Sequence, residues 1–286
     1  MKTIAQFYTL FWIIYFPTCI AFNELDGFGW IDEIMTVIIM AFTFLNSSVS
    51  LNREPRGEYR LFLGILAFYV VYGLIFGENI EKAVLRDMVQ WIRPFSVIYC
   101  TWILNPRFTE RQKNVMLISM LVTLGAWFLY HPEVNVGADA EFPVLGQLAM
   151  CTGMTWYLWK PDNQKNAYIA LAIVLSGMLA PKFKYMGEVV CFVGFVFFLR
   201  GKLQFKSPKT ILALVVLLAV TLYVTWEKFD IYYVSGLNSN ELARPMSYRI
   251  AFTEIIWDYF PFGPGMGTWG CAAAADYYSP LLYKYH

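Results

Sequence analysis

The 286-residue chain is 58% hydrophobic and only 15% charged, with a mean hydropathy of +0.48 and a net charge of +1. A water-soluble globule would have too little polar surface to cover so apolar an interior, so the composition favours a protein that uses the lipid bilayer as its solvent. The small net charge argues against nucleic acid as a partner, because phosphate binding needs clustered Lys and Arg on a water-exposed face.

Apolar stretches along the chain predict about nine membrane-spanning helices, since roughly 20 apolar residues cross the hydrocarbon layer as a helix. A helix also forms all its backbone hydrogen bonds internally, as the lipid interior requires. The predicted segments are residues 4–22, 31–45, 61–77, 88–104, 114–131, 143–159, 166–180, 185–199 and 210–226. The predicted fold class is therefore all-α, a polytopic transmembrane helical bundle. The first stretch lacks a small-residue cleavage site, so we expect a retained helix rather than a signal peptide.

Charges in the connections predict the orientation, because Lys and Arg collect on the cytoplasmic side. Alternate connections are basic, and they carry Arg53, Arg56, Arg60, Arg107, Arg111, Lys113, Lys160, Lys165, Arg200, Lys202, Lys206 and Lys209. This alternation predicts a cytoplasmic amino terminus. It divides the chain into a transmembrane helical domain, residues 1–226, and a long extracytoplasmic segment, residues 227–286. Long loops on membrane scaffolds are where chemistry tends to occur.

Two arginines fall at the outer end of the fourth predicted helix. Arg86, Gln90 and Arg93 share one helical face by their i, i+4, i+7 spacing. Ionisable groups at membrane depth are costly, and two guanidinium forks suit phosphate geometry, so Arg86 and Arg93 are candidate substrate-binding residues. The alternative is that Arg86 pairs with Glu81 or Asp87 while Arg93 neutralises a neighbouring acid.

Lys182 and Lys184 interrupt the charge pattern, because they fall in an extracytoplasmic connection before the eighth predicted helix. Two cations in a short outer turn suggest an anionic substrate on that side. The alternative is interfacial placement together with an i,i+4 ion pair between Lys184 and Glu188.

The most distinctive local pattern is "RPMSYRIAFTEIIWDYFPFGPGMGTWG", from Arg244 to Gly270. Residues 247–259 predict an amphipathic helix that ends at Pro261. Its predicted apolar face comprises Tyr248, Ala251, Phe252, Ile255 and Tyr259. Glu254 and Asp258 are expected on a solvated face, rather than as a pair of carboxylates for glycoside hydrolysis.

Four glycines follow the predicted helix: Gly263, Gly265, Gly267 and Gly270. Glycine permits positive φ and a close approach of the backbone, and successive exposed N–H groups can bind an anion. The pattern is not a dinucleotide fingerprint, which needs a strand before it and a helix after it. It also lacks the lysine of a P-loop.

Taken together, these features resemble the superfamily of O-antigen ligases and Wzy-type O-antigen polymerases. The resemblance covers roughly residues 170–270: a cation at the outer start of a late helix, a loop arginine, an amphipathic helix and a Pro/Gly turn. It implies a GT-C-type glycosyltransferase in the bacterial inner membrane. Such an enzyme transfers a glycan from undecaprenyl diphosphate to a sugar acceptor, either another glycan or the lipid A core, without a metal.

The resemblance also implies roles for individual residues. Arg249 corresponds to the loop arginine, and Lys184, or else Lys182, stands where the family has an arginine; both cations would hold the diphosphate. Arg244 joins them as a candidate substrate-binding residue, as do the turn residues Pro261, Gly263, Gly265 and Gly267.

Two features depart from the family. Its ligases have a functional histidine after the turn, whereas this sequence has only His131 and His286, so His286 is the candidate base. Family members generally continue through further transmembrane helices after the loop. The sequence here ends at "LLYKYH", which leaves open a truncated form, a reduced architecture or helices outside the sequence.

No cofactor, metal or disulfide is expected, since the five cysteines have neither CxxC nor Cys/His ligand spacing. Two other functions stay open. In a transporter or flippase, the arginines would line a path for a lipid-linked saccharide, although such proteins often have internal repeats that this sequence lacks. The third candidate is a non-catalytic assembly subunit.

Overall fold

The structure is a computed structural model that describes residues 2–24, 30–46, 54–76, 80–130, 143–179, 183–199, 230–235, 243–277 and 279–285, with single positions between 208 and 226. The elements in these ranges are helical and include no strand, so the predicted all-α class is confirmed for the described residues. The first eight helices are α1 (Lys2–Glu24), α2 (Ile31–Leu45), α3 (Glu54–Phe76), α4 (Glu81–Leu104), α5 (Glu110–Tyr130), α6 (Pro143–Trp159), α7 (Gln164–Ser176) and α8 (Phe183–Leu199).

These eight helices lie at the first eight predicted positions, and α2 and α6 have the predicted bounds. Helices α3 and α4 each begin seven residues before the predicted segment, because their first turns are polar and continue the helix beyond its apolar part. A 3₁₀ turn, Gly177–Leu179, follows α7. The ninth predicted segment, 210–226, lies almost entirely outside the described residues.

Local hydrogen bonds explain where several helices begin and how their polar side chains are satisfied. Before α5, Thr109 and Gln112 form a reciprocal capping box: the Gln112 N–H donates to Thr109 Oγ1 and the Thr109 N–H donates to Gln112 Oε1. Asn163 accepts the Asn166 N–H at the start of α7. Within the helices, threonine hydroxyls donate to the carbonyl four residues earlier, at Thr9, Thr36, Thr43, Thr123 and Thr152.

The chain divides into two compact units. Unit 1 contains residues 29–107 and 231–286, and unit 2 contains residues 2–28 and 108–230. In unit 1, α4 packs against α2 and α3, and a short C-terminal helix, Ala272–Asp276, packs on α4. In unit 2, α5 packs against α1 and α6, and α6 packs against α7. The C-terminal segment is thus part of a packed unit with α2–α4.

Two described helices are long and apolar enough to cross a membrane by length and composition. They cover residues 55–76 of α3 and 110–129 of α5, with mean hydropathies of 1.9 and 1.3. Several others are shorter; α2 has 15 residues and α7 has 13. By these criteria the described residues give two spans where the sequence predicts about nine.

Candidate functional site

The C-terminal part of unit 1 contains one helical run from residue 243 to 258, here called the loop helix. It consists of an α-helix, Ala243–Ile250, a π-helical turn, Ala251–Ile255, and a last turn, Ile256–Asp258. The amphipathic helix predicted for residues 247–259 is therefore confirmed in position. The sequence did not predict the π turn.

The face of the loop helix that packs inside unit 1 contains only part of the predicted apolar face. Ile250 and Ile255 are buried and pack with Leu281, against Met246, Tyr259 and Trp269. Tyr248 and Phe252, which were predicted for the apolar face, are exposed. A π turn bonds residues five apart, so it aligns Ile255 with Ile250 and separates it from Tyr248 and Phe252, with which the sequence had grouped it.

The segment after the loop helix, residues 261–270, forms the predicted glycine-rich turn. All four of its glycines have positive φ, with values of +75°, +94°, +71° and +71° at Gly263, Gly265, Gly267 and Gly270. Side chains with a Cβ rarely adopt this conformation, so the glycines are required by the backbone path itself.

Two of these glycines also allow close packing on helices α3 and α4. A Cβ on Gly265 would lie 2.9 Å from Gly73 Cα in α3, and a Cβ on Gly267 would lie 2.6 Å from the carbonyl carbon of Ala83 in α4. Gly73 is itself close to the turn, since a Cβ there would lie 3.1 Å from the Met266 nitrogen. The glycines were predicted to allow a close approach of the backbone, and in the structure the backbone of the turn approaches helices α3 and α4 of the protein itself.

The turn is held to α4 by a carboxylate that the sequence reasoning missed. Asp87 is only 7% exposed, and its Oδ2 accepts the N–H of Gly267 at 2.9 Å. A buried acid on an apolar helix is costly unless it is hydrogen-bonded, so this contact gives Asp87 a structural reason to be there. The signal in the sequence is an acidic residue at membrane depth, although its most evident role there is as a partner for Arg86.

This contact changes the interpretation of the turn as an anion-binding nest. At Gly267 the anion that receives the backbone N–H is the carboxylate of Asp87. The Gly263 N–H is also used within the protein, since it donates to the Tyr259 carbonyl at 2.8 Å.

Further hydrogen bonds fix the turn to its surroundings in unit 1. The Tyr72 hydroxyl donates to the Gly263 carbonyl at 3.1 Å, and the Ser279 hydroxyl donates to the Thr268 carbonyl at 2.6 Å. The indole N–H of Trp269 donates to the carbonyl of Ser247 at 3.3 Å. The last contact joins the turn to the loop helix two residues before Arg249.

The two arginines of α4 have separate acidic partners. Arg86 pairs with Asp276 at 2.7 Å, both side chains being about half-exposed, and its guanidinium lies 5.8 Å from the ring centre of Tyr277. The partner is thus neither of the acids considered from the sequence. Exposed guanidinium N–H groups of Arg86 stay accessible to an anion from solvent.

Arg93 lies further along α4 and pairs with α2. Its Nη1 is 2.8 Å from Glu33 Oε1 and 3.7 Å from Asp32 Oδ2. Arg93 thus neutralises neighbouring acids, which is the arrangement that the alternative interpretation expected. Joint binding of one anion by Arg86 and Arg93 stays a prediction.

The remaining predicted residues are distributed as follows. Arg249 is at the end of the α-helical part of the loop helix and is partly exposed, and its carbonyl accepts the Thr253 hydroxyl at 2.9 Å. Lys184 belongs to the first turn of α8, and Arg244 to the first turn of the loop helix. The side chains of Lys184 and Arg244, and the whole of Lys182 and His286, lie outside the described part of the structure.

A cysteine, Cys271, lies directly after the turn and is partly buried. Burial raises the pKa of its thiol above the ordinary value, and its sulfur accepts the N–H of Ala274 at 3.3 Å. At neutral pH a thiol of this kind stays protonated and is a poor nucleophile. Among the described residues, no three His, Cys, Asp or Glu side chains form a group suited to a metal ion.

Comparison with known proteins gives no match, since no family model, curated protein or solved structure aligns significantly with this chain. The resemblance to polysaccharide polymerases and ligases therefore depends on the sequence features of residues 170–270 alone.

Proposed function

We propose that this protein is a metal-independent membrane glycosyltransferase that polymerises or ligates a glycan carried on undecaprenyl diphosphate. The reaction would occur at the extracytoplasmic face of a bacterial inner membrane, with another glycan or the lipid A core as acceptor. In this proposal the chain is a polytopic bundle of about nine helices with a cytoplasmic amino terminus, and residues 261–270 and the loop helix form the active region.

One observation carries the proposal: the glycine-rich turn is folded back onto the helix that bears Arg249. Trp269 contacts the loop helix through Ser247 and packs near Ile250, so the turn is held within a few residues of the arginine. The guanidinium would be the donor to the diphosphate, because its planar fork suits phosphate oxygens, whereas the Gly263 and Gly267 N–H groups of the turn already donate to Tyr259 and Asp87.

The chemistry needs few protein groups. Transfer breaks the bond between the anomeric carbon and the diphosphate oxygen and forms a bond to the acceptor hydroxyl, whose proton must leave. Negative charge builds up on the departing diphosphate, and a positioned arginine lowers the energy of that transition state. The proposal assigns this role to Arg249, assisted by Lys184 or Lys182, and assigns proton removal to His286.

The decisive experiment measures transfer from a defined lipid-diphosphate glycan in vitro with the Arg249→Ala variant. We expect activity to be nearly abolished at matched expression, and Arg249→Lys to recover only part of it, because an ammonium lacks the planar fork. Addition of EDTA should leave wild-type activity unchanged.

Arg111→Ala is the matched control, because Arg111 is exposed near the start of α5, in a connection predicted to be cytoplasmic. This variant should keep full activity. Wild-type activity in Arg249→Ala would remove the catalytic assignment of the loop. Glycan movement across vesicles without any bond formation would favour a transporter.

The orientation has a separate test. Single cysteines placed at the exposed positions Asp258 and Lys165 should react differently with an impermeant maleimide added to intact spheroplasts. The proposal expects labelling at position 258 only. Labelling at position 165 only would invert the topology and place the loop on the wrong side for a periplasmic reaction.

A further inference from the structure

A row of apolar side chains on the loop helix is left uncovered. Tyr248, Phe252 and Ile256 follow one another about one turn apart on the loop helix, Phe260 lies just after its end, and all four are exposed. Phe252 is 67% exposed and Phe260 is 74% exposed. Trp257, which directly follows Ile256 on the loop helix, is 70% exposed.

This row is distinct from the face that packs inside unit 1. Ile250 and Ile255 are already buried against Leu281 and Trp269, so the fold has covered one side of the helix and left the other apolar side open. A contiguous exposed patch of large aromatic side chains marks a surface that contacts something apolar.

The row continues onto the surface of α3. Phe262, two residues after Phe260, has its ring 5.6 Å from that of Phe68 and 6.0 Å from that of Tyr72, and it is still half-exposed. Helix α3 has the more apolar of the two candidate spans, and only 11% of its most apolar window is buried. The exposed apolar surface of α3 therefore meets the end of the apolar row at Phe262.

The composition of the loop helix matches a helix that lies in a membrane interface. Tyr and Trp are enriched where hydrocarbon meets water, since each has an apolar ring and a polar group. The same helix carries polar residues as well, among them Glu254 and Asp258, which are both exposed. A helix with one apolar aromatic face and one charged face lies in the plane of the bilayer surface.

We propose that the loop helix lies in the interfacial region of the lipid bilayer, with Phe252, Trp257 and Phe260 inserted. Insertion of such helices reaches roughly 5–10 Å into the boundary between headgroups and acyl chains. This inference rests on the membrane placement within the proposed function, but not on the transfer reaction. It would hold Arg249 at the level where lipid phosphates lie, so the site would receive a lipid-linked diphosphate from the membrane plane.

The test measures the depth of spin labels in the full chain, reconstituted in phosphatidylethanolamine and phosphatidylglycerol vesicles. Labels are attached to single cysteines, Phe252→Cys and Trp257→Cys, in a variant whose five native cysteines are replaced by alanine. Collision rates with oxygen, which concentrates in lipid, are compared with those of a water-soluble nickel chelate. We expect oxygen collisions to exceed chelate collisions severalfold at both positions.

Two further labels make the outcome specific. Glu254→Cys is the matched control, since position 254 is exposed on the same helix, and there the chelate should dominate. Val71→Cys reports on the exposed surface of α3 and should behave as lipid-facing.

If chelate collisions exceed oxygen collisions at 252 and 257 while the label at 71 faces lipid, the interfacial placement of the loop helix is overturned. The membrane placement of α3 then stays intact. Low collision rates with both reagents at 252 and 257 would also overturn it, in favour of a protein partner on this face. A water-exposed label at 71 would overturn both the inference and the membrane placement of α3.

Discussion

Glycines permit close packing in two regions of this protein, but the atoms that pack against them differ. In unit 2, Gly146 of α6 faces the ring of Tyr185 in α8, and a Cβ there would lie 2.8 Å from Cδ2. In unit 1, Gly265 and Gly267 of the turn face backbone atoms of α3 and α4. A ring can shift by a few tenths of an ångström within its rotamer, whereas a helix backbone cannot shift without losing hydrogen bonds. The turn is therefore the less adaptable of the two contacts.

The largest effect is expected for Gly267→Ala. The added Cβ would be strained at φ +71° and would lie 2.6 Å from the backbone of Ala83. The strain at positive φ costs roughly 1–2 kcal/mol, and overpacking against Ala83 adds roughly 1–3 kcal/mol. The unfolding temperature of the purified protein in detergent should fall more than for any other variant discussed below.

Gly263→Ala is the control for that prediction. Gly263 has a similar φ of +75°, but a Cβ there would meet no atom within 4 Å. The Gly263→Ala variant should therefore be destabilised only by the strain at positive φ, roughly 1–2 kcal/mol. Equal losses for Gly263→Ala and Gly267→Ala would show that contact with α4 adds nothing to the stability of the turn.

The next effect concerns Asp87, which receives the Gly267 N–H. Asp87→Leu would leave a buried amide without an acceptor, which costs roughly 1–3 kcal/mol. Asp87→Asn keeps a carbonyl oxygen in the same place, so we expect a smaller loss of stability. Thermal unfolding of both variants distinguishes a hydrogen-bonding role from a packing role. If Asp87→Leu were as stable as wild type, Asp87 would not anchor the turn.

The smallest effect is expected in unit 2. Gly146→Ala should destabilise by about 1 kcal/mol, the low end of overpacking costs, because its Cβ would meet side-chain rather than backbone atoms and no positive φ is involved. Gly125→Ala in α5 is the counterpart, since its Cβ would meet nothing within 4 Å. Removing a flexible glycine from a helix should stabilise it by about 0.5–1 kcal/mol. The two variants should therefore change the unfolding temperature in opposite directions.

Local patterns predicted the helices well because the information is local. The apolar runs of α2 and α6 end where polar or turn-forming residues begin, so their bounds were correct to the residue. The positive φ of Gly263, Gly265 and Gly267 was also predictable, since glycine adopts such a backbone without steric cost.

The site was less predictable because its contacts are distant in sequence. Asp87 and Gly267 are 180 residues apart, and nothing near either residue indicates the other. Arg86 likewise pairs with Asp276 rather than with an acid in its own helix. Helical periodicity grouped Ile255 with Tyr248 and Phe252, but the π turn between Ala251 and Ile255 directs Ile255 to the packed face and leaves the other two exposed.

The hydrogen bond between Asp87 and Gly267 also has a consequence for biogenesis. Helices α3 and α4 are translated long before the glycine-rich turn, which supplies the amide that the carboxylate needs. The turn can dock only where α3 and α4 lie side by side, because it packs onto backbone from both helices. Docking of the turn therefore follows the synthesis of α3 and α4, and long-range closure of this kind is slow compared with helix formation. A ribosome that stops before residue 261 would release a chain in which the Asp87 carboxylate lacks its amide donor.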